Sequence, residues 1–152
     1  MEFKSKKSPI PYERIGEIFY ILHKNNRKYL NDSLNKYDLN LIQSMCLLTI
    51  HNKNNITQQD LTDYRFLTKS GITHAIRNLE QNNYLKRTQS KKDGRQYTLS
   101  LTPKGEKIIP KLIEINQKWE NTMEINKLDE RFIEELKDLA DKSINLNLGP
   151  FF

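Results

Sequence analysis

One side of residues 68–82 carries a row of polar side chains that can donate hydrogen bonds, with no acidic residue in the row. At about 100° per residue, these side chains share one face of a helix. They are Ser70, His74, Arg77 and Gln81, with Thr73 beside them. Such donors suit the acceptor atoms of base edges and phosphates, so the row indicates a nucleic-acid recognition helix. Taken alone, the stretch also fits an ordinary amphipathic helix with a solvated face.

The opposite side of the same stretch is apolar and must hold the helix against a core. Ile72, Ile76 and Leu79 fall together there, with Ala75 beside them. Thr68 precedes the first turn, where its hydroxyl can accept from a backbone N–H as an N-cap. The sequence therefore predicts a helix that buries one face and exposes the donors.

A shorter helix is predicted directly before it. Thr57-Gln-Gln-Asp60 resembles a capping box, in which the first and fourth residues satisfy each other's backbone N–H groups. The helix that it begins carries Leu61 and Tyr64, and a turn at 65–67 separates it from the stretch at 68–82. A short helix, a turn and a helix with a polar face form the helix-turn-helix arrangement of DNA-binding proteins.

A β-hairpin is predicted over 85–101. Residues 97–101 alternate between apolar and polar, which is the period of a half-buried strand. Asp93-Gly94 is a strong hairpin-turn signal, and Asn83 suits the left-handed end of the preceding helix. The cationic residues of the hairpin are Lys86, Arg87, Lys91, Lys92 and Arg95. A hairpin with a basic tip after a helix-turn-helix predicts a winged helix.

Long helices are predicted on both sides of this winged helix. Apolar residues three and four apart indicate a first helix over about 12–34 and a second over 37–48. Thr102-Pro103, a cap followed by proline at the first helical position, opens the next helix. A last helix is predicted over about 128–146. The fold class is therefore mainly α with a small β-hairpin wing (α+β).

Three segments are expected: an N-terminal arm and first dimerisation helix at 1–36, a winged helix-turn-helix domain at 37–104, and C-terminal dimerisation helices at 105–152. The outer helices are too long and too apolar to be covered by so small a winged domain. A second copy of the chain is expected to cover them. The expected interface residues are Ile18, Phe19, Ile109, Leu112, Trp119, Phe132 and Leu136.

Charge is distributed unevenly along the 152 residues, whose formal net charge is +6. Residues 56–104 hold nine Lys or Arg and four Asp or Glu, a net charge of +5, whereas residues 105–152 hold seven and ten, a net charge of −3. A basic middle favours an anionic partner there. The acidic last third is best explained as solvated helix faces.

Several classes of function are disfavoured. The single cysteine, Cys46, excludes an intrachain disulfide framework and a cysteine-based zinc site, and the three histidines have no ligand spacing. No nucleophile–base pattern, paired carboxylates or phosphate loop appears, so neither an enzyme nor a cofactor is expected. No apolar stretch approaches the length of a membrane span, and a cytoplasmic protein is expected.

The combined motifs resemble the MarR family of transcription regulators. They run from Ser70-x-Ile-Thr-His74 through Leu79-Glu80 and Leu85-x-Arg87 to Asp93-Gly-Arg95, and end at Leu101-Thr-x-x-Gly105. The resemblance implies a homodimer that binds a pseudo-palindromic operator in double-stranded DNA and acts as a repressor. It also implies that the recognition helix enters the major groove and that the wing reaches the neighbouring minor groove.

The DNA contacts expected from this resemblance and from the charge pattern are Thr57, Gln58, Lys69, Ser70, Thr73, His74, Arg77, Lys86, Arg87, Lys91, Lys92 and Arg95. Mainly phosphate contacts are expected of Lys69, Arg77, Lys86, Arg87, Lys91 and Lys92. His74, Gly94 and Asn83 depart from the family pattern, which often has Arg, Arg and Gly at these positions. His74 lacks the bidentate fork with which Arg reads guanine.

The resemblance further implies a small phenolic or other amphipathic effector. The candidate lining residues are Tyr12, Ile15, Phe19 and Met45, which an ordinary core role would also explain. Two alternatives remain open: a winged-helix module that binds RNA or protein, and a redox or small-molecule sensor without its own operator. Cys46 is predicted to be a buried structural thiol, since reactive thiols need an exposed electropositive site.

Overall fold

A computed structural model describes residues 13–53, 55–65, 67–91 and 93–146. The helices of this part are α1 (Ile15–Leu34), α2 (Leu41–Asn52), α3 (Gln58–Arg65), α4 (Lys69–Gln81), α5 (Pro103–Thr122) and α6 (Glu130–Leu146). Its strands are β1 (Ile56–Thr57), β2 (Leu85–Gln89) and β3 (Tyr97–Leu101), and single 3₁₀ turns follow α1 and α5. The prediction of a mainly helical chain with a small β-hairpin is confirmed.

The strands form an antiparallel sheet in the order β1-β3-β2. Leu85 pairs with Leu101 and Gln89 with Tyr97, so the hairpin predicted over 85–101 is confirmed. The sequence did not reveal β1, in which Ile56 lies opposite Leu99. A strand of two residues is too short to show an alternating pattern, and it forms because β3 offers a free edge next to the start of α3.

The second helix begins later than the sequence predicted, at Leu41 instead of Tyr37. Asp38 adopts a left-handed conformation with φ 55°, which stops the preceding 3₁₀ turn. Asn40 and Gln43 then form a complete capping box, in which each side chain accepts from the other residue's backbone N–H at 2.9 Å. The helix also extends to Asn52, beyond the predicted end.

One core cluster joins the winged helix to the long helices. Its fully buried members include Leu47 on α2, Leu61 on α3 and Ile76 on α4. Burial of a side chain of this size stabilises the fold by about 1.5–3 kcal/mol. Leu34 of α1 belongs to the same cluster, so the winged helix shares its core with the outer segments.

Two residues expected at the dimer interface lie inside this core. Ile109 and Leu112 of α5 have exposed fractions of 2% and 0%, because α1 and α2 pack against that side of the helix. Their burial leaves them no surface for a second chain, which corrects that part of the prediction. The apolar spacing of α5 was recognised, but its partner is the chain's own core.

Apolar surface remains exposed on the outer helices. On α6, Phe132 and Leu139 are 45% and 43% exposed, and on α1 Phe19 is 41% exposed. Within the described ranges, α6 does not pack extensively against any other helix or strand. No described helix has both the length and the hydropathy needed to cross a membrane.

Candidate nucleic-acid interface

The recognition helix predicted at 68–82 is α4, and its start is set by a side-chain cap. Thr68 Oγ1 accepts from the backbone N–H of Gly71 at 3.1 Å, so the predicted cap is confirmed. Lys69 and Ser70 follow in the first turn and are exposed. The free N–H groups of a helix N-terminus carry partial positive charge, which suits a phosphate.

The two faces of α4 separate as the sequence predicted. Ile72, Ile76 and Leu79 each have an exposed fraction of 0%. His74 and Arg77 are exposed on the other side, in line with Ser70. The helix is therefore held by its apolar face and presents donors outward.

The predicted capping box of α3 is also present. Asp60 Oδ2 accepts from the backbone N–H of Thr57 at 2.8 Å, and Thr57 Oγ1 accepts from the N–H of Asp60 at 3.1 Å. Gln58, the next residue, donates from Nε2 to Thr73 Oγ1 of α4 at 2.7 Å. Two residues predicted to contact DNA thus contact each other across the helix-turn-helix.

The tip of the wing is a loop between β2 and β3. The backbone N–H of Gln96 donates to the carbonyl of Asp93 at 3.0 Å, and that of Arg95 donates to the Asp93 carboxylate at 3.0 Å. Gly94 does not have a positive φ, so Asp93-Gly94 does not form a type I′ turn. The loop is longer than two residues, since β2 ends at Gln89 and β3 begins at Tyr97. Lys91 and Arg95 are exposed on it, and Lys92 lies outside the described residues.

Lys86 and Arg87 on β2 differ in their surroundings. Lys86 is exposed, whereas Arg87 Nε lies 3.2 Å from Glu80 Oε2 of α4. The sequence predicted both residues as phosphate contacts. The acid at Glu80 neutralises one of the two cations and connects the wing to the recognition helix, which no local sequence signal indicated.

The end of α4 is anchored by the start of α5. Lys104 Nζ donates to the carbonyl of Asn82 at 2.8 Å and lies 4.3 Å from the centroid of the Tyr84 ring. Asn83 takes the predicted left-handed conformation, with φ 62°. Burial, together with the nearby Asp38 carboxylate, raises the pKa of Tyr84 above its usual value. The neutral phenol is therefore the form that the folded chain favours.

A second polar junction holds α4 from behind. The Oε1 atom of the Gln43 amide accepts in the α2 capping box, and its Nε2 atom donates to Asn78 Oδ1 at 2.8 Å. Gln43 is only 5% exposed. Neither residue was identified from the sequence, because a contact over 35 positions leaves no periodic pattern.

A groove of about 760 Å³ lies between α1 and the start of α2. Its lining is polar along α1 and apolar along α2. The groove extends to Leu67, the residue before the N-cap of α4. The lining residues are His23, Arg27, Asn31, Asp32, Asn35, Leu39, Asn40, Leu41, Ile42, Met45 and Leu67. Of the four predicted effector residues, Met45 lines this groove, Ile15 and Phe19 do not, and Tyr12 lies outside the described residues.

Cys46 has an exposed fraction of 0%, which confirms its predicted burial. In the part of the chain that the structure describes, no three His, Cys, Asp or Glu side chains come together as a metal site.

The geometry defines a class of protein. A short helix, a turn and a helix with outward donors, followed by a basic hairpin, constitute a winged helix-turn-helix DNA-binding protein of the MarR type. The chain belongs to the SarA/Rot family of transcriptional regulators, whose family model matches residues 28–112. It is a transcription regulator and not an enzyme.

Known proteins of similar length support this assignment. The HTH-type transcriptional regulator BilQ of Clostridioides difficile is 29% identical over 139 residues, which cover 91% of each protein. A MarR transcriptional regulator from Methanosarcina mazei Go1 superposes with a TM-score of 0.72 at 25% identity, covering 88% of this chain and 96% of that one. The S. aureus MepR–DNA complex shares the fold, with a TM-score of 0.77 at 20% identity and coverage of 88% and 98%.

Proposed function

We propose that the chain acts as a homodimer that binds a pseudo-palindromic operator in double-stranded DNA and represses transcription. The observation that carries this proposal is the outward face of α4, where Ser70, His74 and Arg77 lie in line beside the basic wing. Donors on a major-groove helix read base edges. Cations on the neighbouring wing bind phosphates and make the affinity depend on salt.

The exposed apolar stripe of α6 supports the dimer. Phe132 and Leu139 are each more than two-fifths exposed, and a single chain leaves them facing water. In a dimer, the α6 stripe of each chain can pack against the second copy, together with Phe19 of α1. This packing removes the apolar surface from solvent. The two-fold symmetry of such a dimer requires a pseudo-palindromic site, and its recognition helices should lie about 34 Å apart, one turn of DNA.

The groove beside α2 supports release by a small amphipathic effector. Arg27 and His23 supply polar contacts on one wall, and Met45 and Leu67 supply apolar contacts on the other. The volume lies in the range of small-molecule sites, about 300–1,000 Å³. Leu67 directly precedes the N-cap of α4, so a bound ligand displaces the recognition helix and changes the spacing within the dimer.

Fluorescence anisotropy tests the DNA-binding part of the proposal. Labelled duplex from upstream of the chain's own gene is compared with scrambled duplex at two salt concentrations. Preference for the upstream duplex, with a steep salt dependence, is the expected result. Equal and weak binding to both duplexes contradicts autoregulation, and no binding at low salt contradicts a DNA-binding role.

The effector part is tested with a phenolic acid such as 4-hydroxybenzoate. We expect it to weaken operator binding while sedimentation still shows a dimer. The Arg27→Ala variant should lose this response, whereas Lys107→Ala, which removes an exposed charge from α5 outside the groove lining, should keep it. An effector that separates the dimer contradicts the proposed mechanism.

A further inference from the structure

Thr73 is the only predicted base contact on α4 whose hydroxyl is held, in the described residues, by both a donor and an acceptor. Its Oγ1 accepts from Gln58 Nε2 at 2.7 Å. The same Oγ1 donates to the carbonyl of Lys69, one turn earlier, at 2.8 Å. Both Gln58 and Thr73 are half-buried between α3 and α4, so the arrangement is fixed before any DNA arrives.

A threonine hydroxyl has one proton and two lone pairs. In Thr73 the proton is directed to Lys69, and one lone pair is occupied by Gln58. What remains for a base is one lone pair and the methyl group. We propose that Gln58 is a specificity-determining residue: by occupying Thr73, it leaves a hydroxyl that can accept from a base but cannot donate to one. This inference rests on the proposed reading of DNA by α4.

The four bases present different groups in the major groove, so a Thr73 hydroxyl that can only accept should prefer some bases over others. Guanine presents two acceptors there, N7 and O6. Adenine presents an amino donor beside its N7 acceptor, cytosine presents an amino donor, and thymine presents a methyl group beside its O4 acceptor. Guanine is therefore the base whose two major-groove acceptors leave an acceptor-only hydroxyl nothing to contact. A Thr73 that can only accept therefore repels guanine on the contacted strand and tolerates the other three bases, with its methyl group packing against thymine.

Gln58 maintains this state by holding the Thr73 side chain in the χ1 rotamer whose hydroxyl donates to the Lys69 carbonyl. The Lys69 carbonyl already accepts the helical N–H of Thr73, so it does not depend on the hydroxyl. Without the Gln58 amide, the Thr73 side chain can adopt its other helical χ1 rotamer, in which the hydroxyl leaves the Lys69 carbonyl and can donate to guanine. The adjacent Gln59 is a natural control, since its amide bonds to Asp63 within α3, at 2.9 Å, and to no residue of α4 among those described.

The test is selection from duplexes with randomised positions, followed by sequencing, with the wild-type chain and variants of matched melting temperature. The Thr73→Ala variant identifies the position that Thr73 reads. We expect the wild type to exclude guanine there. Gln58→Met should raise the recovery of guanine at this position by roughly threefold to tenfold, the value of one hydrogen bond. Gln59→Met should match the wild type.

Unchanged exclusion of guanine in Gln58→Met overturns the inference, as does an equal change in Gln59→Met. Thr73→Ser provides an independent measurement if Gln58→Met does not fold. It keeps the hydroxyl and its two partners but lacks the methyl group, so guanine should stay excluded while any preference for thymine falls. A gain of guanine in Thr73→Ser also overturns the inference. If the wild type selects no sequence at all, the proposed function fails and the inference fails with it.

Discussion

Arg87 on β2 lies 3.2 Å from Glu80 on α4, so an ion pair joins the wing to the recognition helix. The two side chains are 33% and 42% exposed. An exposed pair of this kind adds little to stability. Its main consequence is electrostatic, because it compensates a cation on the surface that is expected to face DNA.

This pair predicts different effects for two neighbouring cations. Lys86 has no ion-pair partner among the described residues, so Lys86→Ala should reduce the slope of log affinity against log salt by about 1. Arg87→Ala should change the slope less, since Glu80 already neutralises that charge. Glu80→Gln should release Arg87 and raise affinity for every duplex, whatever its sequence.

Anisotropy titrations at several salt concentrations measure these slopes. Lys107→Ala, an exposed lysine on α5 outside the wing, is the matched control and should leave the slope unchanged. Equal losses in Lys86→Ala and Arg87→Ala would show that Glu80 does not hold Arg87 in the complex.

Gly105 allows α5 to approach the end of the recognition helix. A Cβ atom at this position would lie 2.1 Å from the backbone carbonyl oxygen of Tyr84, which cannot rotate away. The same carbonyl accepts from the backbone N–H of Thr102 at 3.1 Å. Gly105→Ala should therefore lower the melting temperature strongly.

Gly16→Ala is the control for that change. Gly16 lies in α1, where a Cβ atom would come within 4 Å of none of the described residues outside the helix turn. Alanine favours a helix over glycine by about 1 kcal/mol or less. Its melting temperature should stay equal or rise, as measured by circular dichroism. A similar fall in melting temperature in both variants would contradict the explanation that Gly105 is needed for the close approach of α5 to Tyr84.

Much of the local structure could be predicted because its causes are local. The caps at Thr57, Thr68 and Thr102 act over three residues, and each is present as the residue types indicate. The two faces of α4 follow from helical periodicity alone. A pattern that depends on neighbours three or four positions away is visible in one sequence.

Contacts between distant segments left no such trace. The burial of Ile109 and Leu112 depends on which helix packs against α5, and an apolar stripe is the same whether its partner is the chain's own core or a second copy. The pairing of Glu80 with Arg87 depends on where β2 crosses α4. Gln58 and Thr73 were each predicted to contact DNA, yet nothing in the sequence indicated that they contact each other.

The buried amide of Gln43 should be important for stability. It accepts from the N–H of Asn40 and donates to Asn78 Oδ1, both within 2.9 Å. Gln43→Met keeps the volume but removes both bonds: the Asn40 N–H loses its acceptor, while Asn78 Oδ1 keeps the amide of Asn82 as a donor at 3.0 Å. The loss should cost about 1–3 kcal/mol in the free energy of unfolding. Urea denaturation measures it, with Gln59→Met at an exposed glutamine as the control. Equal losses would contradict a specific role for Gln43.

Tyr84 should make stability depend on alkaline pH. Burial, and then the Asp38 carboxylate, raises the pKa of this phenol in the folded chain. The raised pKa contributes stability that is fully present below the ordinary tyrosine pKa of about 10, and that is lost as the pH rises through the folded value. The free energy of unfolding should fall less steeply above about pH 10 in Tyr84→Phe than in the wild type. Identical pH slopes in Tyr84→Phe and the wild type would contradict a raised pKa of Tyr84 in the folded chain.

The apolar stripe of α6 predicts the assembly state. Phe132 is 45% exposed in the single chain, and in a dimer that buries α6 it contacts the second copy. Phe132→Lys places a charge in that contact, where burial of an unpaired charge is costly. Sedimentation should show monomers at concentrations where the wild type is dimeric, and the monomers should bind an operator half-site far more weakly than the dimer binds the whole site. Asp141→Lys puts the same charge on the opposite, exposed face of α6 and should leave the dimer intact. Dimers of unchanged affinity in Phe132→Lys would mean that the chains pair through a different surface, and the stripe of α6 would then need another partner.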